Sequence, residues 1–234
     1  MASQKMNLVT AKNMHELSRT GARLIAERLR DLARSREGVV LGLVGGRSVK
    51  GIYERLSAMD LEAWQTTHFF LADERRVSLE HPESNYRLVR KALLDPLLAR
   101  KQIREDNIHA MDMSLPPRET AQTYSRELQA LGGAFDLVLL SAGEDGHVAG
   151  IFPDKSYSTE AAFTFFDNSP KAPKRRFTAS PRLLSGTRFA IVLFAGDAKR
   201  AALRHFLDNT AETDNAEKVL KKIANLTVLT DQKG

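Results

Sequence analysis

Cysteine is absent from the 234 residues. That excludes disulfides, thiolate metal sites and a cysteine nucleophile, and it suits a reducing cytosolic setting. No apolar run approaches the ~20 residues that a membrane helix needs. The N-terminus, MASQKMNLVT, lacks the charged-then-apolar layout of a secretion signal. The expectation is therefore a cytoplasmic protein without a membrane partner. Metal and serine-hydrolase signatures are also missing. His15, His68, His81, His109 and His205 show no ligand spacing, there is no H-E-x-x-H, and Ser141 is not in a G-x-S-x-G elbow.

Charge narrows the partners further. There are 35 basic and 29 acidic residues, a formal net charge of +6, which raises nucleic acid, acidic membrane or small anions as partners. The basic residues are dispersed, and the densest cluster, Lys171 to Arg176, is short and has prolines within and beside it. A nucleic-acid footprint is therefore not expected, and a small anion is.

What is present is an alternation. Met6–Thr10 reads as a strand. Asn13, with Glu16 three residues on, reads as a helix N-cap and capping box, followed by Leu17, Leu24, Ile25, Leu29 and Leu32 at helical spacing and stopped by Gly38. Val39–Val44 is a short apolar strand, Gly45-Gly46-Arg47-Ser48 a turn, and Ser48 the cap of the next helix. His68–Leu71 is a strand that ends in a charged loop, Asp73-Glu74-Arg75-Arg76, before a helix from about Ser84 through Leu94 in which Asn85 reads as a cap. A helix at Tyr124–Leu131 precedes the buried strand Phe135–Leu140. Strands are expected at Phe177–Ala179, Arg188–Ala195 and Leu226–Leu229, and helices at Asp197–Leu207 and Glu217–Ile223. This βαβα rhythm predicts a three-layer α/β/α domain over residues 1–234 with a mainly parallel, Rossmann-like sheet. The polar, proline-bearing stretch 154–176 is too long for an ordinary connection and reads as a substrate loop.

Ligands of such sheets lie beyond the carboxyl ends of the strands. Three strand ends carry chemistry. Gly45, Gly46, Arg47 and Ser48 offer backbone N–H groups, a helix N-terminus and side-chain donors suited to phosphate, although neither the Walker nor the G-x-G-x-x-G pattern is present. Asp73 and Arg75 close a second strand. The loop after Phe135–Leu140 holds Gly143, Asp145, Gly146 and His147, and an imidazole there is placed for proton transfer near neutrality.

Taken together these motifs resemble the 6-phosphogluconolactonases, within the wider group of sugar-phosphate isomerases and deaminases. The resemblance rests on Gly45–Ser48, on Asp73-Glu74-Arg75 followed by Ser84-Asn85, and on Ser141–Pro153, which keeps Gly143, Asp145, Gly146, His147, Ala149, Phe152 and Pro153. It extends to Ser169–Pro173, Arg176 with Thr178, and Gly196 with Lys199. Val49, Ser141 and Gly150 depart from the usual proline, glycine and serine.

The resemblance implies a glucosamine-6-phosphate isomerase/ribose-5-phosphate isomerase-like fold and hydrolysis of 6-phospho-D-glucono-1,5-lactone, with no metal and no cofactor. His147 would be the general base, oriented by Asp145, with backbone N–H groups around Gly143 facing the oxyanion. Arg75 and Lys171 are the first choices to hold the phosphate, and Gly45–Ser48, Arg176 and Lys199 the second. The same scaffold hosts aldose–ketose isomerases, amino-sugar phosphate deaminases and non-catalytic sugar-phosphate sensors. The deaminases place a carboxylate after the Asp-Gly-His loop, where Gly150-Ile151-Phe152-Pro153 has none. The partner expected is a small sugar phosphate. The sequence does not fix the oligomeric state, with a monomer the simplest expectation.

Overall fold

Short strands of β-branched and leucine residues alternate with amphipathic helices, and the inner strands need cover on both faces. The computed structural model describes residues 4–157, 160–208 and 214–232. In chain order it has β1 (Lys5–Thr10), α1 (Met14–Ala33), β2 (Val39–Leu43), α2 (Arg47–Ser57), β3 (Thr67–Leu71), β4 (Asp73–Arg75), α3 (Asn85–Val89), α4 (Asp95–Ala99) and α5 (Pro117–Ala130). These are followed by β5 (Leu137–Ser141), β6 (Phe163–Phe166), β7 (Arg176–Ala179), α6 (Pro181–Ser185), β8 (Phe189–Phe194), α7 (Arg200–Leu207), α8 (Asn215–Leu220) and β9 (Asn225–Thr230).

Six strands form one parallel sheet in the order β1-β9-β8-β5-β2-β3. Every residue of β2 is buried, and so are the first four of β5. That pattern follows from helices covering both faces. The chain runs from β2 outward to β3 and then returns to β5 on the other side of β2. The order reverses there, so a crevice opens between the carboxyl ends of β2 and β5, the position where open α/β sheets bind ligands.

The helices follow their sequence signals with local differences. Asn13 caps α1 by accepting from Glu16 N at 2.9 Å, while Glu16 reaches back to Lys12 N rather than to Asn13. The helix ends at Ala33, before Gly38. Ser48 is not the cap of α2. The N-cap is Gly46, at φ 114°, and no side chain caps that end. Ser84 caps α3 through Arg87 N, so Asn85 is the first helical residue rather than the cap. α3 continues through a π-helical turn, Arg90–Leu94, into α4.

The largest departure is a second sheet. Asp73–Arg76 was expected as a loop, but Asp73–Arg75 is β4, the edge of a three-stranded antiparallel sheet in the order β4-β7-β6. Phe177–Ala179 is a strand as expected, but β7 lies in this small sheet and not in the parallel one. The stretch 154–176 is also less irregular than expected, because it contains β6 and the first residue of β7; Ser158 and Thr159 lie outside the described residues. Ala72 joins the two sheets, donating to Leu43 O at 2.6 Å and accepting from Ala179 N at 2.7 Å. One hydrophobic cluster runs through both sheets and the helices, with Tyr124 packed between Phe70 and Phe163. Tyr124 satisfies its buried hydroxyl by accepting from Leu71 N and donating to His109 O. Among the described residues no helix is long and apolar enough to cross a membrane.

Candidate active site

Glycine brings the backbone of the β2–α2 turn close to its neighbours. A Cβ on Gly45 would lie 1.9 Å from Asn85 Oδ1 and 2.4 Å from its Cγ. No side chain fits there unless Asn85 moves. Asn85 is itself fixed, since its Nδ2 donates to Asp73 O at 2.9 Å. Gly45→Ala is therefore expected to displace Asn85 and cost about 1–3 kcal/mol by overpacking, with lost activity. Urea denaturation alongside a turnover assay checks it. Because α2 has no side-chain cap, the first-turn N–H groups of the helix stay available to a ligand, and Arg47 and Ser48 stand in that turn.

Glu74, in the centre of β4, was part of the charged motif but not among the candidate site residues, and it organises the second wall. It is fully buried and accepts from Arg75 N at 2.6 Å, Asn85 N and Tyr86 N at 2.8 Å, and Ser84 Oγ at 2.9 Å. Burial pushes its carboxyl up to about 7, against the lowering effect of those four hydrogen bonds. The signal in the sequence was a carboxylate between two other charges directly after an apolar strand, with Ser84-Asn85 opening the next helix. Glu74 ties β4 to the N-terminus of α3, and so places Asp73, Arg75 and Asn85 together. The Asp73 carboxylate makes no hydrogen bond among the described residues and lines the cavity. Arg75 donates through Nη1 to Glu83 O at 2.6 Å, while its Nε and Asn85 Oδ1 are buried without partners.

The third wall is the loop after β5. His147 Nδ1 lies 2.5 Å from Asp145 Oδ1, and Lys171 Nζ lies 3.2 Å from the same oxygen. Although burial opposes it, hydrogen bonding and charge from His147 and Lys171 hold the Asp145 carboxyl well below the usual carboxylate range. An ionised carboxylate can only accept. His147 Nδ1 therefore carries the hydrogen in this bond, and in the neutral ring Nε2 is the nitrogen with the free lone pair. The ring stacks on Phe152, centroids 4.6 Å apart, which fixes its plane. Gly143 N–H donates to His147 O at 2.7 Å and Gly146 N–H to Gly143 O at 3.2 Å. These bonds shape the loop and occupy two of the amides expected to face an oxyanion.

These walls enclose a cavity of about 390 Å³ at the topological crevice. It is lined by Gly45, Gly46, Arg47, Ser48, Asp73, Arg75, Asn85, Gly143, His147, Arg176 and Lys199 among the residues singled out from sequence, which come from six separate stretches of chain. Asp145 and Lys171 stand outside the lining. Lys171 is paired to Asp145, which in turn holds His147. Arg176 is buried and mostly committed, donating to Pro173 O at 2.9 Å and Ala172 O at 3.0 Å, so it holds the Lys171–Pro173 turn in place. Lys199 makes no side-chain hydrogen bond among the described residues. Burial lowers its pKa, with Lys171 and Arg47 adding to that effect against Glu144 and Asp145. Sequence reading missed the cavity contributions of Met14, Ala195 and Ala198, which carry no polar signal. Ser141 hydrogen-bonds Ser48, Oγ to Oγ, at 2.8 Å across the crevice. His205 has neighbours that spacing did not reveal: with Asp214 and Glu217 it places ligand-type atoms within 4.8 Å of one another, where Lys221 already pairs with Glu217.

Comparison with known proteins agrees with this geometry. The sequence pattern of the family described as glucosamine-6-phosphate isomerases/6-phosphogluconolactonase matches residues 12–228. The 6-phosphogluconolactonase of Borreliella burgdorferi is 33% identical over 82% of this chain and 83% of its own. That of Homo sapiens is 33% identical over 91% and 86%. The solved structure of 6-phosphogluconolactonase from Trypanosoma brucei superposes with a TM-score of 0.85 at 28% identity, covering 97% of each chain. A monomeric glucosamine-6-phosphate deaminase shares the fold, with a TM-score of 0.82 at 20% identity. With its crevice, its Asp-Gly-His loop and these relatives, the chain belongs to the glucosamine-6-phosphate isomerase/6-phosphogluconolactonase family.

Proposed function

We propose that this protein hydrolyses 6-phospho-D-glucono-1,5-lactone to 6-phospho-D-gluconate, the second step of the oxidative pentose phosphate pathway, using His147 to activate water. The observation that carries the reading is His147, oriented by an ionised Asp145, facing the same cavity as Arg47, Arg75, Arg176 and Lys199. A lactone is an activated ester, so the chemistry needs a base and a fixed carbonyl, not a covalent nucleophile. His147 Nε2 takes a proton from water as its oxygen attacks the lactone carbonyl carbon. The imidazolium then returns that proton to the ring oxygen as the carbon–oxygen bond breaks, and the new carboxyl group ionises to solvent. Proton transfer of this kind contributes about 10²–10⁴-fold.

The phosphate lies at the far wall. Arg75 and Arg176 each spend donors on backbone carbonyls. Arg47, Lys199 and the uncapped first turn of α2 are then its main holders, and Arg75 and Arg176 frame them. Fixing the phosphate holds the carbonyl against the water, which is the positional share of catalysis. Arg47→Ala and Lys199→Ala are each expected to raise KM by about 10–100-fold, the value of one charge-assisted hydrogen bond, while kcat changes little. Initial rates with freshly generated lactone, corrected for spontaneous opening, measure both constants. Wild-type rates no faster than spontaneous opening would reject the reading. Ammonia release from glucosamine 6-phosphate would favour the deaminase reading, which lacks a carboxylate at Gly150–Pro153.

A further inference from the structure

A second cavity, of about 590 Å³, lies between the segment 155–157, α6 and α8. Its charged lining is entirely positive: Lys155, Arg182, Lys218 and Lys222, with Ser156, Tyr157, Ser185 and Asn215 supplying neutral polar groups and no carboxylate among the described lining residues. None of the three lysines makes a side-chain hydrogen bond or ion pair among the described residues, and the Arg182 side chain makes one hydrogen bond there, to the Glu160 carbonyl at 3.4 Å. Four cations gathered round one concavity repel each other, so an anion is the occupant that lowers the local energy. The volume exceeds that of the crevice at His147.

The cavity also shares a segment with the catalytic loop. Tyr157, in its wall, accepts from Phe152 N at 2.8 Å and donates to Gly150 O at 2.7 Å, and Phe152 stacks on His147. Asn215, on the opposite wall, donates to Pro153 O at 3.0 Å and Lys155 O at 2.6 Å. An anion drawing Lys155 toward α8 would act on the strap that carries Phe152.

We propose that this groove is a second anion site, for a small molecule bearing two or more phosphate groups, and that its occupancy is felt at His147. The charge count favours a polyphosphate over a monophosphate, since a single phosphate group cannot meet four cations spaced around such a volume.

The test uses inorganic tripolyphosphate and isothermal titration calorimetry at fixed salt. Binding is expected to persist in Arg47→Ala/Lys199→Ala, which weakens the catalytic crevice. It should fall at least tenfold in Lys155→Ala/Lys218→Ala/Lys222→Ala. A charge-matched control, Arg23→Ala/Arg34→Ala/Lys50→Ala, removes three cations elsewhere and is expected to bind as wild type. Equal losses in control and triple variant would mean net charge alone and overturn the site, as would full binding by the triple variant. At saturating lactone, where competition in the crevice vanishes, tripolyphosphate should shift kcat of the wild type and not of the triple variant. An unchanged kcat in both would overturn the coupling. The binding arms do not depend on which reaction the crevice performs.

Discussion

Replacing His147 with alanine is expected to lower kcat for lactone hydrolysis by about 10²–10⁴-fold, the usual share of general acid–base catalysis. The physical basis is the direction of one lone pair. Asp145 is held ionised by His147 and Lys171, so it claims the Nδ1 hydrogen and leaves Nε2 as the base. No other described histidine lines the cavity, so nothing replaces the ring. The phosphate cradle does not include His147, so KM should move little. The split between kcat and KM, measured above the spontaneous rate, decides the matter. A His147→Ala protein with wild-type kcat would remove the proposed mechanism. A large rise in KM at constant kcat would recast His147 as a binding residue.

The second large effect concerns Glu74. Glu74→Ala leaves three backbone N–H groups and the Ser84 hydroxyl buried without their acceptor. Each such orphan costs about 1–3 kcal/mol, and the breaking of a buried charged cluster typically totals about 3–5 kcal/mol. Substrate binding should fail with it, because Asp73, Arg75 and Asn85 lose their common anchor. Chemical denaturation gives the stability loss, and an apolar replacement with unchanged midpoint would refute the role.

The same group gives a pH signature. Its carboxyl is raised from 4.5 to about 7 by burial. The folded protein therefore holds that proton more tightly than the unfolded chain does. The stability it contributes is complete below about 4.5 and is lost as pH rises through about 7. Denaturation midpoints measured between pH 5 and 8 should carry this downward component in the wild type and lack it in Glu74→Gln.

Much of this site was readable along the chain, and the reason is local. A strand that must be covered on both faces is a continuous apolar run, and the polar residues that follow it, such as Gly45–Ser48 after Val39–Val44 and Gly143–His147 after Phe135–Leu140, sit where the sheet ends. Such signals need only a window of ten residues. The burial of Glu74 was illegible because it depends on β7, about a hundred residues further along the chain, as well as on the nearby start of α3. Lys171 was placed on the phosphate by resemblance, whereas its Nζ pairs with Asp145. Its neighbour Arg176 holds the turn that makes this pairing, through contacts no spacing reveals.

The sequence by itself determined the inventory and the rhythm: a cysteine-free α/β chain with a proton-transfer histidine after an apolar strand and a dispersed excess of cations. Only the tertiary structure decided which of these groups meet. Parallel strands joined by crossovers bring their carboxyl ends to one edge, and the reversal of strand order between β2 and β5 opens the crevice there. Side-chain convergence then depends on strand register and on a small antiparallel sheet whose pairing energy comes from partners far apart in the chain, and no local pattern encodes it.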